Sequence, residues 1–228
     1  MLRERMARLY GVRVEQLMIT RGSDEGIDLL VRAFCRAGID AVLIAPPCFG
    51  MYAVCARVQN APLVEVPLID QGGAWTLDID GVIDAVGERN VRVVFLCSPA
   101  NPTGGVTPKS EVDKLVSGLE KFPDVAIMSD EIYDHMTYDG EKHVCLLTYP
   151  SIRDRLILLN GWSKTYAMTG WRLGYAVWPG KLYDYARKLA VNLHSCVNAS
   201  AQYAGLAALT GPQDEVYKMI AEFDRRRK

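Results

Sequence analysis

The sequence predicts an α/β fold of three layers, in which a mostly parallel seven-stranded sheet lies between helices on its two faces. Short apolar runs alternate with amphipathic stretches of helical length along the chain, and this alternation is typical of βα units. The apolar runs are nearly continuous, as expected for strands buried on both faces of a parallel sheet. No Gly/Ser linker or low-complexity tract interrupts the 228 residues, so the sequence predicts one domain.

The elements can be assigned in order from the apolar pattern. Strands are predicted over residues 16–20, 41–45, 63–66, 91–97, 125–129, 155–160 and 173–178. Helices are predicted over residues 24–37, 52–59, 78–86, 109–121 and 181–193, with more helix from residue 198 onward. About a dozen loop-like residues separate the last two strands, and a parallel crossover needs at least that many, usually with a helix. The seventh strand is therefore predicted to be antiparallel.

Composition and charge narrow the class of protein. The chain is 50% hydrophobic and 23% charged, with a formal net charge of -1. This composition is ordinary for a folded globular protein. The net charge shows no excess of basic residues of the kind that binds nucleic acid or an anionic membrane surface. The first residues lack an apolar signal core, and no stretch approaches the length of a membrane span. We expect a cytoplasmic protein that binds small molecules, with no nucleic acid or membrane partner.

The cysteines and histidines show no sign of a metal site. The 6 cysteines lack CxxC spacing, and the 3 histidines have no ligand spacing around them. We expect reduced thiols and no metal.

A lysine and an arginine follow the sixth predicted strand. Lys164 comes directly after Ser163, and Arg172 lies eight positions later. Ligands of open α/β sheets bind beyond the carboxyl ends of strands. There a lysine can form a Schiff base with a carbonyl group, and an arginine can bind a phosphate. This segment resembles the lysine segment of the fold type I aminotransferases, which use pyridoxal 5'-phosphate (PLP).

Other strand ends carry residues suited to the ring of such a cofactor. Asp130 and Tyr133 follow the fifth strand, and Asn101 lies in a proline-containing turn after the fourth. A carboxylate partner keeps the pyridine nitrogen of PLP protonated, and the ring can then act as an electron sink. The Tyr133 phenol and the Asn101 amide are candidates for hydrogen bonds to the ring's O3′ oxygen. Phe49, past the second strand, is a candidate for stacking on the ring.

A glycine turn after the first strand is a candidate phosphate site. Gly22 allows the chain to turn, and the backbone N–H groups of Ser23 and Asp24 begin a helix whose positive end favours an anion. Ser163 and Arg172 are predicted to bind the same phosphate group.

Each of these features taken alone is also typical of a structural role. A glycine turn before a helix is a common cap, an acidic pair after a strand is common in solvated turns, and Phe49 is compatible with the core. Their shared position past the carboxyl ends of strands favours one site.

Four segments, in their order and spacing, resemble the motif series of class I/II aminotransferases: residues 22–26, 99–104, 130–133 and 163–172. The first hundred residues resemble histidinol-phosphate aminotransferase most. From Asp130 onward the chain is more similar to the aspartate and broad-specificity aminotransferases. One hypothesis that follows from this difference is a chimeric or designed chain.

The resemblance implies a role for each candidate residue. Lys164 forms the Schiff base and moves the substrate's Cα proton, and Asp130 pairs with the ring nitrogen. Asn101 and Tyr133 bond to O3′, and Phe49 stacks on the ring. The residues implied to be catalytic are Lys164, Asp130 and Tyr133. The residues implied to bind the cofactor are Gly22, Ser23, Asp24, Phe49, Asn101, Asp130, Tyr133, Ser163, Lys164 and Arg172.

The resemblance also implies an architecture and an activity. It identifies residues 1–228 as a PLP-transferase large domain, without the N-terminal arm and C-terminal small domain of family members, and it implies a homodimer. The implied activity is amino group transfer between an amino acid and a 2-oxo acid, slowed in a shortened chain. Two alternatives stay open: a PLP-dependent decarboxylase, racemase or β-lyase, and a non-catalytic PLP-binding module.

Overall fold

Nine strands and eight helices make up the computed structural model, which describes residues 1–228. The strands are β1 (Leu17–Thr20), β2 (Ala41–Ile44), β3 (Leu63–Glu65), β4 (Ile69–Asp70), β5 (Trp75–Thr76), β6 (Val91–Cys97), β7 (Ala126–Asp130), β8 (Leu156–Gly161) and β9 (Gly174–Val177). The helices are α1 (Leu2–Tyr10), α2 (Ser23–Phe34), α3 (Met51–Val58), α4 (Ile79–Glu88), α5 (Lys109–Leu119), α6 (Gly180–His194), α7 (Ala199–Thr210) and α8 (Asp214–Arg227). None of these helices combines the length and the apolar character required to cross a membrane.

Seven of the strands form one sheet in the order β1-β9-β8-β7-β6-β2-β3. The pairs β2 with β3, β2 with β6, β6 with β7 and β7 with β8 are parallel. β9 runs antiparallel to both of its neighbours, β1 and β8. The predicted seven-stranded sheet with one antiparallel strand is therefore confirmed.

Successive residues of the central strands point to opposite faces of the sheet, as the period of two in a β-strand requires. Val94 and Ile127 pack with α1, α4, α5 and α7 on one face. Val93 and Met128 pack with α2, α3 and α6 on the other face. The strands are buried on both sides for this reason, and the expected three layers are present.

Two elements of the structure are absent from the sequence prediction. Helix α1 carries charged residues at four of its nine positions, and only Leu2, Met6 and Ala7 are buried. The hairpin of β4 and β5 has two residues in each strand, too few for a periodic pattern. Six of the seven predicted strands also differ from the observed ones by one residue at one or both ends. The difference that bears on the site is that β7 includes Asp130, which pairs with Cys97 of β6.

A contact between two glycines brings the start of α2 against the start of β9. A Cβ atom on Gly174 would lie 2.6 Å from the carbonyl carbon of Gly22 and 2.8 Å from the nitrogen of Ser23. Only glycine fits at position 174 without displacing this backbone. The antiparallel pairing of Thr20 with Gly174 therefore places the first turn of α2 beside the loop that precedes β9.

Candidate functional site

One cavity of about 190 Å³ contains every site residue predicted from the sequence. We call it the lysine cavity. Five stretches of the chain contribute these residues, and each lies at or shortly after the end of one strand: β1, β2, β6, β7 or β8. The predicted residues in its lining are Gly22, Ser23, Asp24, Phe49, Asn101, Asp130, Tyr133, Ser163, Lys164 and Arg172, and the additional ones are Cys97, Ile132 and Thr169.

Asp130 provides a buried acid in the lysine cavity. It is the last residue of the central strand β7 and is 2% exposed. Its Oδ2 atom accepts a hydrogen bond from the Tyr52 hydroxyl at 2.8 Å, and its Oδ1 atom lies 3.4 Å from the backbone nitrogen of Ile132. Burial raises the pKa of Asp130 to about 6, and the Tyr52 hydrogen bond opposes that rise. The hydrogen bonds that the chain provides therefore offset only part of the cost of burying the charged Asp130 carboxylate.

Lys164 lies in the loop between β8 and β9, residues 162–173, which we call the lysine loop. Its ammonium Nζ is 5.6 Å from the centre of the Tyr133 ring, within the range of a cation–π contact. No carboxylate forms an ion pair with Lys164. Within the chain, the Lys164 side chain therefore has the Tyr133 ring as a neighbour and no ion-pair partner.

The lysine loop is anchored through Trp162. This side chain is almost fully buried, and its Nε1 donates a hydrogen bond to the Gly205 carbonyl of α7 at 3.0 Å. The Trp162 carbonyl accepts from the backbone nitrogens of Tyr166 and Met168 at 3.2 and 3.3 Å. These bonds close the chain around Lys164 and hold its backbone in place.

A cationic group lies at the opposite end of the lysine cavity. Arg172 is half exposed, and its Nη2 donates to the Asp24 carboxylate at 3.0 Å and to the Arg21 carbonyl at 3.2 Å. Helix α2 begins here at Ser23 without a side-chain cap, so its first N–H groups are unpaired donors. Gly22 has a φ of 94°, and a Cβ atom there would lie 2.7 Å from Arg172 Nη2. Glycine thus leaves room for an anion between the helix start and the guanidinium.

Asn101 and Phe49 come from loops at the other side of the lysine cavity. The turn that carries Asn101 is closed by hydrogen bonds between Ala100 and Gly105 and from Gly104 to Ala100, each 2.8 Å long. The Phe49 ring stands edge-on to the buried Tyr52 ring, with their centres 5.7 Å apart at 85°. The backbone of the turn that carries Asn101 is therefore fixed, and the Phe49 side chain is held by Tyr52.

Sequence reasoning missed a buried cluster directly behind Asp130. The Glu131 carboxylate accepts hydrogen bonds from Ser129 Oγ at 2.9 Å and from the Leu146 nitrogen at 3.0 Å, and it contacts His143 Nε2 at 2.8 Å. Burial lowers the pKa of His143, but the hydrogen bond and charge of Glu131 outweigh it, so this pKa is raised. The cluster fixes the chain that follows β7. Twelve residues separate Glu131 from His143, and no spacing rule connects them.

A larger cavity of about 460 Å³ borders the lysine cavity and shares Cys97 and Asn101 with it. Its lining is mainly apolar and comes from the hairpin of β4 and β5 and the starts of α4 and α5. It contains neither Lys164 nor Arg172. The chemistry therefore points to the smaller cavity.

Comparison with known proteins connects this geometry to one family. Residues 1–228 match the family model for aminotransferase class I and II. The chain is 37% identical over 227 residues to the histidinol-phosphate aminotransferase of Xylella fastidiosa (strain 9a5c), covering 98% of this chain and 60% of that protein. This alignment runs through both halves of the chain, which spans about 60% of the length of the curated relatives it matches.

Two solved structures show the same fold. The aromatic aminotransferase from Pyrococcus horikoshii OT3 has a TM-score of 0.92 and 31% identity, with 99% of this chain and 62% of that chain covered. The aspartate aminotransferase from Rhizobium meliloti has a TM-score of 0.90 and 28% identity, with 99% of this chain and 56% of that chain covered.

Asp130 should make the stability of the chain depend on pH. Its pKa is about 6 in the folded chain, against about 3.9 for an ordinary aspartate. A raised pKa contributes stability below about pH 4 that is lost as the pH rises through about 6. The difference is worth about 3 kcal/mol, so the free energy of unfolding of Asp130→Asn relative to the unaltered chain should rise by up to that amount from about pH 4 to pH 8.

Urea denaturation at a series of pH values measures this effect without added ligand. Asp154→Asn is the control, because the Asp154 side chain is 90% exposed. We expect the free energy of unfolding of Asp154→Asn relative to the unaltered chain to be the same at every pH. The same result for Asp130→Asn would contradict a buried carboxylate with a raised pKa.

Proposed function

Because the chain belongs to the class I and II aminotransferase family, we propose that it binds PLP and transfers an amino group between an amino acid and a 2-oxo acid. The observation that carries this proposal is the content of the lysine cavity. An amine without an ion-pair partner, a buried carboxylate and an uncapped helix start beside an arginine line the same small space.

The two ends of the lysine cavity fit the two ends of PLP. At one end, the first N–H groups of α2 and the Arg172 guanidinium offer donors to a phosphate, with space that the glycine at position 22 leaves open. At the other end, the buried Asp130 has only one short hydrogen bond, from Tyr52, and a protonated ring nitrogen would offset its desolvation. The Asp24 carboxylate holds Arg172, so we expect position 24 to bind phosphate through its backbone.

When bound, PLP supplies an electron sink for the bond that is broken at the substrate's α-carbon. Lys164 would be the amine that holds the cofactor covalently, and once the substrate amine had displaced it, its Nζ would take the proton from the α-carbon and return it. Asp130 would keep a proton on the ring nitrogen. Asn101 and Tyr133 would donate to the O3′ oxygen, and Phe49 would pack on the ring face.

The names of the relatives suggest which amino donors to assay first. The Xylella relative is a histidinol-phosphate aminotransferase, so we propose histidinol phosphate as the first donor to assay, with aspartate and an aromatic amino acid for comparison. We further propose that residues 1–228 form the large, cofactor-binding domain. A cytoplasmic location stays a prediction.

Replacing Lys164 tests the covalent role. In Lys164→Ala we expect loss of the absorbance band of amine-bound PLP and a loss of transfer rate of roughly 100- to 10,000-fold, because the α-carbon proton has no carrier. Borohydride reduction should fix the cofactor on the peptide containing Lys164. Lys181→Ala is the control, since Lys181 is exposed on α6 and should behave as the unaltered chain.

The products separate this proposal from its alternatives. Formation of a new amino acid from the 2-oxo acid supports transfer. Release of carbon dioxide, a racemised amino acid or a β-elimination product supports the other PLP reactions. Bound PLP without turnover supports a cofactor-binding module, and unchanged absorbance in Lys164→Ala would contradict the covalent role.

Arg172 should discriminate between PLP and pyridoxal, which lacks the phosphate. In Arg172→Ala we expect the Kd for PLP to rise roughly 10- to 100-fold, because a hydrogen bond to a charged group is lost, and the Kd for pyridoxal to stay unchanged. Equilibrium dialysis measures both values. Arg187→Ala, on the exposed side of α6, is the control. An equal loss for both ligands would show that Arg172 acts on the fold and not on phosphate.

We propose a homodimer that forms through the face beside Arg172. The α3 residues Val54 and Val58 are exposed there, in a groove that also contains Arg172 and Met51. Exposed aliphatic side chains on one helix face suit an interface. Light scattering should give a dimer for the unaltered chain and a monomer for Val54→Asp, whereas Tyr217→Asp on α8 should stay dimeric. A monomeric unaltered chain would contradict the proposal.

A further inference from the structure

We infer that Tyr52 is a positioning residue for the lysine cavity, with a hydroxyl that fixes Asp130 and a ring that fixes Phe49. The inference rests on the proposed function where it concerns the cofactor, because Asp130 and Phe49 are the residues proposed to hold the ring's nitrogen and face. Its contacts are properties of the chain itself. Tyr52 lies in the first turn of α3, and the sequence pattern gives it no role in the site.

The hydroxyl of Tyr52 lies between the Cys97 thiol and the Asp130 carboxylate and donates its hydrogen bond to the carboxylate. Tyr52 is 1% exposed, and a buried hydroxyl is costly unless it is hydrogen-bonded. Its bond to Asp130 Oδ2 is 2.8 Å long. The other oxygen, Oδ1, has only the long contact with Ile132. Tyr52 therefore fixes the rotation of the carboxylate and leaves Oδ1 available to a ligand.

The ring of Tyr52 connects the sheet to the residue that faces the cavity. It stacks on Phe95 of β6, with ring centres 4.8 Å apart at 19°. Its edge contact with Phe49 is 5.7 Å between centres. Phe95 belongs to the core. Because Tyr52 packs on Phe95 and Phe49 packs on Tyr52, the position of the Phe49 ring is determined by the sheet. The Tyr52 side chain therefore fixes the positions of both the Asp130 carboxylate and the Phe49 ring.

Two hydrogen bonds oppose the burial of the Asp130 carboxylate, and Tyr52 donates the shorter one. Burial raises the pKa of Asp130, and the charges of Asp24 and Glu131 raise it further. The hydrogen bond from Tyr52 lowers this pKa, and the backbone hydrogen bond from Ile132 lowers it less. The other titratable groups that line the same cavity are Cys97, Tyr133, Lys164 and Arg172.

The first test follows the protonation of Asp130 in the cofactor-free chain by infrared spectroscopy of the carboxyl group. The signal is assigned by its loss in Asp130→Asn. In Tyr52→Phe we expect the midpoint to move upward by about one to two pH units, because a hydrogen bond to the charged form is lost. Tyr175→Phe is the matched control, since that hydroxyl is also buried and bonds only to Tyr10, at 2.6 Å.

A second variant keeps the test informative if Tyr52→Phe does not fold. Incorporation of 3-fluorotyrosine at position 52 retains the shape and strengthens the donor, so the Asp130 midpoint should move downward. A midpoint that is unchanged in either folded variant, or that moves as far in Tyr175→Phe, would overturn the inference.

The second test measures PLP binding in a double-mutant cycle. We expect Tyr52→Phe to raise the Kd for PLP roughly tenfold in the unaltered chain, and to add almost nothing in the Asp130→Asn background, because Tyr52 acts through Asp130. If the two substitutions changed the Kd independently and additively, Tyr52 would not act through Asp130, and this part of the inference would be overturned. If the unaltered chain binds no PLP, the proposed function fails, while the infrared midpoints still decide the role of Tyr52.

Discussion

Burial of the Asp130 carboxylate at the end of the central strand is the constraint on which the lysine cavity depends. β7 is the fourth of seven strands, and Asp130 pairs with Cys97 on one side and Leu159 on the other. An ionised carboxylate in this position loses its hydration, and hydrogen bonds or a cation must offset that loss. Tyr52 supplies one hydrogen bond. The remaining imbalance makes the floor of the cavity favour a cationic or proton-donating group.

The reversal of a single strand explains why Lys164 and Arg172 lie at the same edge of the sheet as Asp130. In a parallel sheet, the chain leaves each strand at the carboxyl edge and returns to the opposite edge before the next strand. β9 is antiparallel to β8, so the lysine loop begins and ends at the carboxyl edge. The pairing of β9 with β1 then places Arg172 beside the start of α2, where two glycines allow close approach.

The sequence predicts the parts of this arrangement that depend on local pattern. Lys164, Asp130 and Asn101 each follow an apolar run, and their placement needs only the rule that parallel strands end at one edge. Tyr52 could not be found in this way, because its partner Asp130 is 78 residues distant and no period of a strand or helix links them. The Glu131–His143 contact was missed for the same reason, and the hairpin of β4 and β5 is too short to show a period.

The two ends of the lysine cavity differ in how strongly the chain determines them. Asp130 is buried among fixed neighbours, and Tyr52 already occupies one of its oxygens, so its geometry is set before any ligand arrives. Arg172 is 48% exposed and bonds to a carboxylate that is itself 39% exposed, and such pairs are weak and screened by salt. A phosphate can therefore replace Asp24 as the partner of Arg172 at little cost. In the proposed PLP complex, the core would therefore preorganise the ring end, whereas the anion end would adapt, and the contribution of the anion end to binding should weaken as ionic strength rises.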